Sequence, residues 1–202
     1  MELFFSPTSP YVRKVMVLLH ETNQIDDVTL TTASGTPLAL AKGLATHNPL
    51  SKVPALIRPD GPALYDSRVI CQYLDDRAES GLYGEGESRW ENLTLEATAD
   101  GILDAALLMT YETRLRPVDK QFNDYIDAQW HKIENATIAV EDRWMAHLAG
   151  ALSMGQIALA CALAYVDFRH GERNWRQSAP QLDDWYAGFG ERDAMKSTIP
   201  PK

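Results

Sequence analysis

Three short segments within the first 70 residues constrain this chain more than anything else in it. They are Ser6-Pro7-Thr8-Ser9-Pro10-Tyr11-Val12-Arg13-Lys14, Asn48-Pro49-Leu50-Ser51-Lys52-Val53-Pro54-Ala55-Leu56 and Asp66-Ser67-Arg68-Val69-Ile70. In the first, a strand over residues 2–5 ends in a turn, and a helix begins with Ser9 at the N-cap and Pro10 at the first helical position. In the second, proline stands at the mouth of a strand, and the Val53-Pro54 bond is predicted to be cis. The third puts an acid and a hydroxyl at another helix start, where backbone amides are free to hold a carboxylate. Together they describe a site for a small, zwitterionic, peptide-like ligand whose reactive atom lies beside Ser9.

The chain of 202 residues suits one large domain or two small ones sharing an interface. A net charge of -9 argues against sequence-independent nucleic-acid binding, which needs a basic surface. The longest apolar run, residues 157–166, is far short of the roughly 20 needed to cross a bilayer. No basic segment followed by an apolar one marks the N-terminus as an export signal. Cys71 and Cys161 lie far apart and outside any C-x-x-C pattern, so a reduced, cytoplasmic compartment is expected. His20, His47, His131, His147 and His170 are too widely spaced for the usual metal motifs, and no metal is expected. Neither a P-loop nor G-x-S-x-G occurs.

Strand and helix alternate through the first half. The helix after Ser9 carries Val12, Val15, Met16 and Leu19 on one face. A second strand is expected over residues 27–31 and a weaker helix over 36–42. Residues 54–57 and 63–65 flank Arg58-Pro59-Asp60-Gly61-Pro62, a turn that predicts a hairpin. The helix that follows shows an apolar face of Val69, Ile70, Tyr73 and Leu74, with Cys71 well around from it and read as a packing residue. This βαβαββα order is that of a thioredoxin-like fold. Three glycines and two acids make residues 79–86 a linker between a domain at 1–78 and an all-helical domain at 87–202.

In the helical part, long helices are expected over 90–113 and 121–149, antiparallel across Pro117. Leu93, Leu95, Ile102, Leu103, Leu107 and Leu108 supply the apolar side of the first. Ser153 with Gln156 three residues on is a capping box, and Leu152 with Ile157 is its hydrophobic staple. From 157 to 165 the helix is apolar all round, which predicts a path through the domain centre. Cys161 within it is read as structural.

On Ser9-Pro10-Tyr11, Lys52-Val53-Pro54, Asp66-Ser67 and the two-part layout, the chain resembles the cytosolic glutathione transferases, specifically short bacterial-type members with a serine at the thiolate position. The resemblance implies an α/β thioredoxin-like domain followed by a helical bundle, and glutathione as co-substrate. Ser9 would stabilise the glutathione thiolate. Val53 would pair through its backbone with the cysteinyl residue, held by the cis peptide at Pro54. Asp66 and Ser67 would take the γ-glutamyl end, and Lys52 the glycyl carboxylate. Thr8, Tyr11, Leu107 and Tyr111 are expected around the small, hydrophobic electrophile. A role in detoxification and a homodimer are further implications of the resemblance. Trp90, Leu93 and Leu95 add apolar surface near the linker. The sequence departs from the family at Ser51, where Gly or Ala is usual, at Asp66, often Glu, and at Gln156, usually Asp.

Each site residue has a plainer reading. Ser9 and Asp66-Ser67 could only cap their helices, and Pro54 could merely start a strand. Arg114 and Arg116 are read as helix-end charges, and Tyr111 and Trp175 as core aromatics unless they line a pocket. The three segments occurring together favour a site. Serine where a thioredoxin has its attacking cysteine excludes dithiol chemistry, so the nucleophile must come from the ligand. The reading is an enzyme that presents a glutathione thiolate to an electrophile; isomerisation, peroxide reduction and dehalogenation use the same thiolate. The alternative is a non-catalytic or regulatory glutathione-binding protein of the same fold.

Overall fold

The structure is a computed structural model that describes residues 1–201. It divides into two compact units, residues 1–83 with the final stretch from Asp193, and residues 84–192. The sequence reading placed that final stretch with the helical domain; the structure packs it with the first unit.

In the first unit, strands β1 (Glu2–Phe5), β2 (Thr29–Thr32) and β3 (Ala55–Ile57) form a sheet in the order β2-β1-β3. β1 pairs parallel with β2, Leu3 opposite Leu30, and antiparallel with β3, Leu3 opposite Leu56. Leu3 and Leu56 are fully buried, as expected for a strand with covered faces. Helix α1 (Pro10–Glu21) joins β1 to β2. It buries Val12, Val15, Val17, Leu18 and Leu19, a wider apolar face than the sequence pattern implied.

Three local expectations are corrected. The second strand starts two residues late because Ile25–Asp27 forms a 3₁₀ turn. No helix forms over 36–42. The Thr36 hydroxyl accepts hydrogen bonds from the amides of Leu38 and Ala39, and a tight turn closes between Thr36 and Ala39. A threonine side chain bound to the backbone in this way competes with helical pairing. The hairpin strand over 63–65 is reduced to a single bridge, Leu56 with Leu64, with bonds of 2.9 and 2.8 Å.

Helix α2 (Ser67–Ala78) buries Ser67, Ile70, Cys71, Leu74 and Asp75, whereas Val69 is 45% exposed. Cys71 therefore belongs to the packed face and Val69 does not. Helix α7 (Asp193–Ser197) packs on α1: Arg13 donates from Nη2 to the Met195 carbonyl (3.1 Å) and from Nε to the Thr198 hydroxyl (3.3 Å).

The second unit is helical: α3 (Gly86–Leu115), α4 (Asn123–Leu148), α5 (Met154–His170) and α6 (Pro180–Gly190). α3 and α4 are antiparallel. The Phe122 amide donates to Glu112 at one end (3.0 Å), and His147 Nε2 lies 3.1 Å from Asn92 Oδ1 at the other. α5 is buried continuously from Met154 to Val166. Its capping box is present, with Ser153 N donating to Gln156 Oε1 (3.0 Å) and Gln156 N to Ser153 Oγ (3.4 Å). Gly155 lies in close packing, where a Cβ would meet the Leu95 Cβ at 3.1 Å and force it to shift by a few tenths of an ångström. Leu95, read on the apolar side of α3 and also as apolar surface near the linker, is fully buried against that glycine, and Leu108, read on the same apolar side, is exposed. Trp175 and Cys161 are core residues. Among the described residues no helix is long and apolar enough to cross a membrane.

Candidate functional site

The first unit gathers the three segments at one end of its sheet. β1 runs into the turn that carries Thr8 and Ser9, and its antiparallel partner β3 starts just after Pro54. Leu64 pairs with Leu56, so the chain from Leu64 to Asp66 returns alongside β3 toward that same end. The Val53-Pro54 bond is cis, as is Tyr65-Asp66, which the sequence did not suggest.

Ser9 is the N-cap of α1, and its Oγ accepts the Val12 amide at 3.4 Å. It makes no other side-chain hydrogen bond among the described residues, so the hydroxyl hydrogen is uncommitted. The first turn of α1 holds no acid, which leaves the positive end of the helix unopposed locally. Ser9 is half-buried, as are Thr8 and Tyr11.

Asp66 caps α2 in the same manner. Its Oδ1 accepts the Arg68 amide at 3.1 Å, and its second oxygen has no partner among the described residues. Ser67 follows at the first helical position. The residue is only 2% exposed, and its hydroxyl makes no hydrogen bond among the described residues.

Between these caps, the Val53 amide and carbonyl make no hydrogen bond among the described residues. Unpaired backbone groups of this kind can accept a further peptide strand. Asn48, to which the sequence reading gave no role, shapes the approach. Its Nδ2 donates to the Lys52 carbonyl (2.8 Å) and its Oδ1 accepts the Leu50 amide (3.0 Å). That loop puts Ser51 in the left-handed region at φ 52, where glycine is favoured. The signal was present as Asn-Pro, a turn-starting pair. Lys52 is exposed and carries no ion pair among the described residues. Ser9, Lys52, Val53, Pro54, Asp66, Ser67, Thr8 and Tyr11 all lie in the first unit, whereas Leu107 and Tyr111 lie on α3 of the second, both half-buried. Burial pushes the Tyr111 phenol upward, Tyr165 adds to it, and Arg114 opposes. Arg116 is a helix-end charge paired with Glu112 at 2.7 Å. That contact, with the Phe122 amide, holds the Glu112 carboxyl low. Among the described residues no three His, Cys, Asp or Glu side chains form a metal-holding group.

These arrangements match known proteins along the whole chain. The family described as glutathione S-transferase, N-terminal domain, matches residues 8–77, and that described as glutathione S-transferase, C-terminal domain, matches residues 123–188. An uncharacterized GST-like protein of Escherichia coli strain K12, YibF, is 31% identical over the full length of both chains. A glutathione transferase family member from Pseudomonas fluorescens Pf-5, with bound glutathione, is 45% identical. It superposes with a TM-score of 0.96, covering 100% of this chain and 99% of that one. The same family member with bound S-(propanoic acid)-glutathione gives 44% identity and a TM-score of 0.92 over 100% of both chains. A glutathione S-transferase from Methylobacillus flagellatus KT with glutathione bound is 35% identical, with a TM-score of 0.86 and 99% of each chain covered. The chain belongs to the glutathione S-transferase family.

Proposed function

We propose that this protein is a glutathione transferase: it binds glutathione on its thioredoxin-like unit and transfers the thiolate to a small, hydrophobic electrophile. The observation that carries the reading is the Ser9 hydroxyl, whose hydrogen is uncommitted at the positive end of α1. A free thiol ionises near pH 8.5, and lowering that by about two units takes roughly 2.7 kcal/mol in favour of the anion. A charge-assisted hydrogen bond plus a helix end supplies that order of energy. The thiolate sulfur then forms a bond to the electrophilic carbon, and the leaving group departs with its electron pair.

The other site residues bind the tripeptide. The open backbone of Val53 supports strand-like pairing with the cysteinyl residue. The uncommitted Asp66 oxygen and the Ser67 hydroxyl suit the γ-glutamyl amine and carboxylate. Lys52 suits the glycyl carboxylate. The glutathione-bound relatives support this ligand. The carboxylated conjugate held by one of them supports an acceptor that leaves an acidic arm on the sulfur.

The protein works as a homodimer in the cytoplasm. Exposed Trp90 on α3 supports the dimer, while the buried Leu95 contributes nothing to it. Light scattering at micromolar concentration should report twice 22.6 kDa, and a monomer would overturn the assembly. The function is tested by following glutathione consumption with aryl halide and unsaturated carbonyl acceptors. Tight glutathione binding with no conjugation across such a panel would favour a non-catalytic glutathione-binding protein instead.

A further inference from the structure

Asn48 opens the turn that leads into β3, and its side chain is buried and bonded at both ends. It is 2% exposed. Its backbone amide donates to the Leu44 carbonyl (2.8 Å), at the start of a 3₁₀ turn over Leu44–Thr46. Leu44 lies in an apolar cluster with Ala33, Ala41 and Ala55, against which Val53 also packs. The Ser51 amide closes the turn on the Asn48 carbonyl (2.8 Å). Across that turn the side-chain Oδ1 accepts from the Leu50 amide (3.0 Å), and Nδ2 donates to the Lys52 carbonyl (2.8 Å). A short side-chain amide supplies this acceptor and this donor on one rigid plane, whereas aspartate offers acceptors alone. Ser51 sits at φ 52, a backbone state unfavourable outside glycine, so hydrogen bonds rather than local preference hold the turn.

The bond from Nδ2 reaches the ligand-facing backbone through covalent geometry. The Lys52 carbonyl and the Val53 N–H belong to one peptide unit, which is flat and resists rotation. That unit is trans, so its carbonyl and its N–H point in opposite directions. Holding the Lys52 oxygen on buried Asn48 therefore turns the Val53 N–H away from Asn48, where it has no partner among the described residues. The same bond polarises the peptide unit and makes the Val53 N–H a stronger donor.

We propose that Asn48 is a positioning residue for glutathione: its side-chain amide fixes the Lys52-Val53 peptide plane so that the Val53 N–H meets the cysteinyl carbonyl of the tripeptide. This role rests on the transferase reading and gives the alignment of that site to a residue acting through the backbone. Aspartate at position 48 keeps the Leu50 bond but sets a carboxylate oxygen against the Lys52 carbonyl. The peptide plane then turns, and the Val53 N–H turns with it. Alanine removes the grip without adding that repulsion.

The test is calorimetric binding of glutathione and of an isostere in which a trans carbon–carbon double bond replaces the cysteinyl-glycyl amide. The isostere keeps the shape and lacks the carbonyl. Wild type should bind glutathione about tenfold more tightly than the isostere, the scale of one well-aligned hydrogen bond. In Asn48→Asp that preference should fall to near one, with glutathione itself bound about tenfold more weakly. Asn48→Ala should lie between the two. The thiol of bound glutathione should titrate in both variants as in wild type, because Ser9 belongs to the start of α1 and not to this turn. Thermal unfolding is followed alongside. Unchanged glutathione affinity in both variants, or weaker binding of both ligands with the wild-type preference retained, overturns the positioning role. Failure of both variants to fold makes Asn48 a stabilising residue and overturns the role as well. Glutathione binding with no preference in wild type removes the Val53 pairing and this role, and leaves the Ser9 reading intact. Absence of any glutathione affinity in wild type overturns the transferase reading and this role with it.

Discussion

Replacing Gln156 by glutamate tests why this helix start uses an amide where the family usually has an acid. The Gln156 side chain works in two directions. Its Oε1 accepts the Ser153 amide (3.0 Å), while its Nε2 donates to the carbonyls of His147 (3.3 Å) and Leu148 (3.1 Å) at the end of α4. Glutamate keeps the acceptor and gains a favourable interaction with the helix N-terminus, about 0.3–1 kcal/mol. It loses both donated bonds, each worth about 1 kcal/mol, and turns a buried carboxylate toward two carbonyl oxygens. These terms leave a net loss of about 1–1.7 kcal/mol, and burial of the charge adds to it. For a chain of this length that lowers the melting temperature by at least roughly 2–7 °C. Ser153→Ala removes only the cap acceptor and should cost about 1–2 kcal/mol. Thermal and urea unfolding of both variants decide the matter. A Gln156→Glu protein as stable as wild type would refute the claim that the donated bonds to α4 are what select glutamine.

Two further outcomes follow from the same structure. Burial holds the His170 imidazole below its ordinary pKa, with the Ala106 hydrogen bond opposing, so its neutral form belongs to the folded state. Its contribution is complete above the unfolded value of about 6.5 and is lost as pH falls below it. Unfolding midpoints measured between pH 7 and 5 (~2 units spanning that value) should drop for wild type and drop less for His170→Gln, and equal slopes would remove the assignment. Arg13→Ala deletes both bonds to the C-terminal stretch, at Met195 and Thr198. Limited proteolysis should then cleave beyond residue 192 several times faster, with little change in the unfolding of the helical unit; unchanged cleavage would show that apolar packing alone holds the tail.

What was legible in the sequence were features whose physics is local. Ser9 before Pro10, Asp66 before a helix and the Ser153–Gln156 box are caps set by neighbours within one turn, and each formed as read. The apolar stretch of α5 announced a central helix because no face of it tolerates water. The misreadings come from partners far along the chain. Leu95 is buried because Gly155 lets α5 approach it. The C-terminal stretch joins the first unit because Arg13 reaches across 182 residues to it. At 36–42 the error was local, where a threonine hydroxyl outcompeted helix pairing.

The central claim is that Ser9 stabilises the thiolate of bound glutathione, and titrating that thiol by ultraviolet absorbance in wild type and Ser9→Ala tests it most directly. Folding stability is followed alongside, because the same substitution removes a helix cap. In wild type the bound thiol should ionise about two units below the free value near 8.5. In Ser9→Ala glutathione should still bind through Lys52, Val53, Asp66 and Ser67, the thiol pKa should rise by about one unit or more, and turnover lost at neutral pH should partly return at alkaline pH. A folded Ser9→Ala protein that binds glutathione with the same thiol pKa and the same turnover would reduce Ser9 to a helix cap and contradict the account.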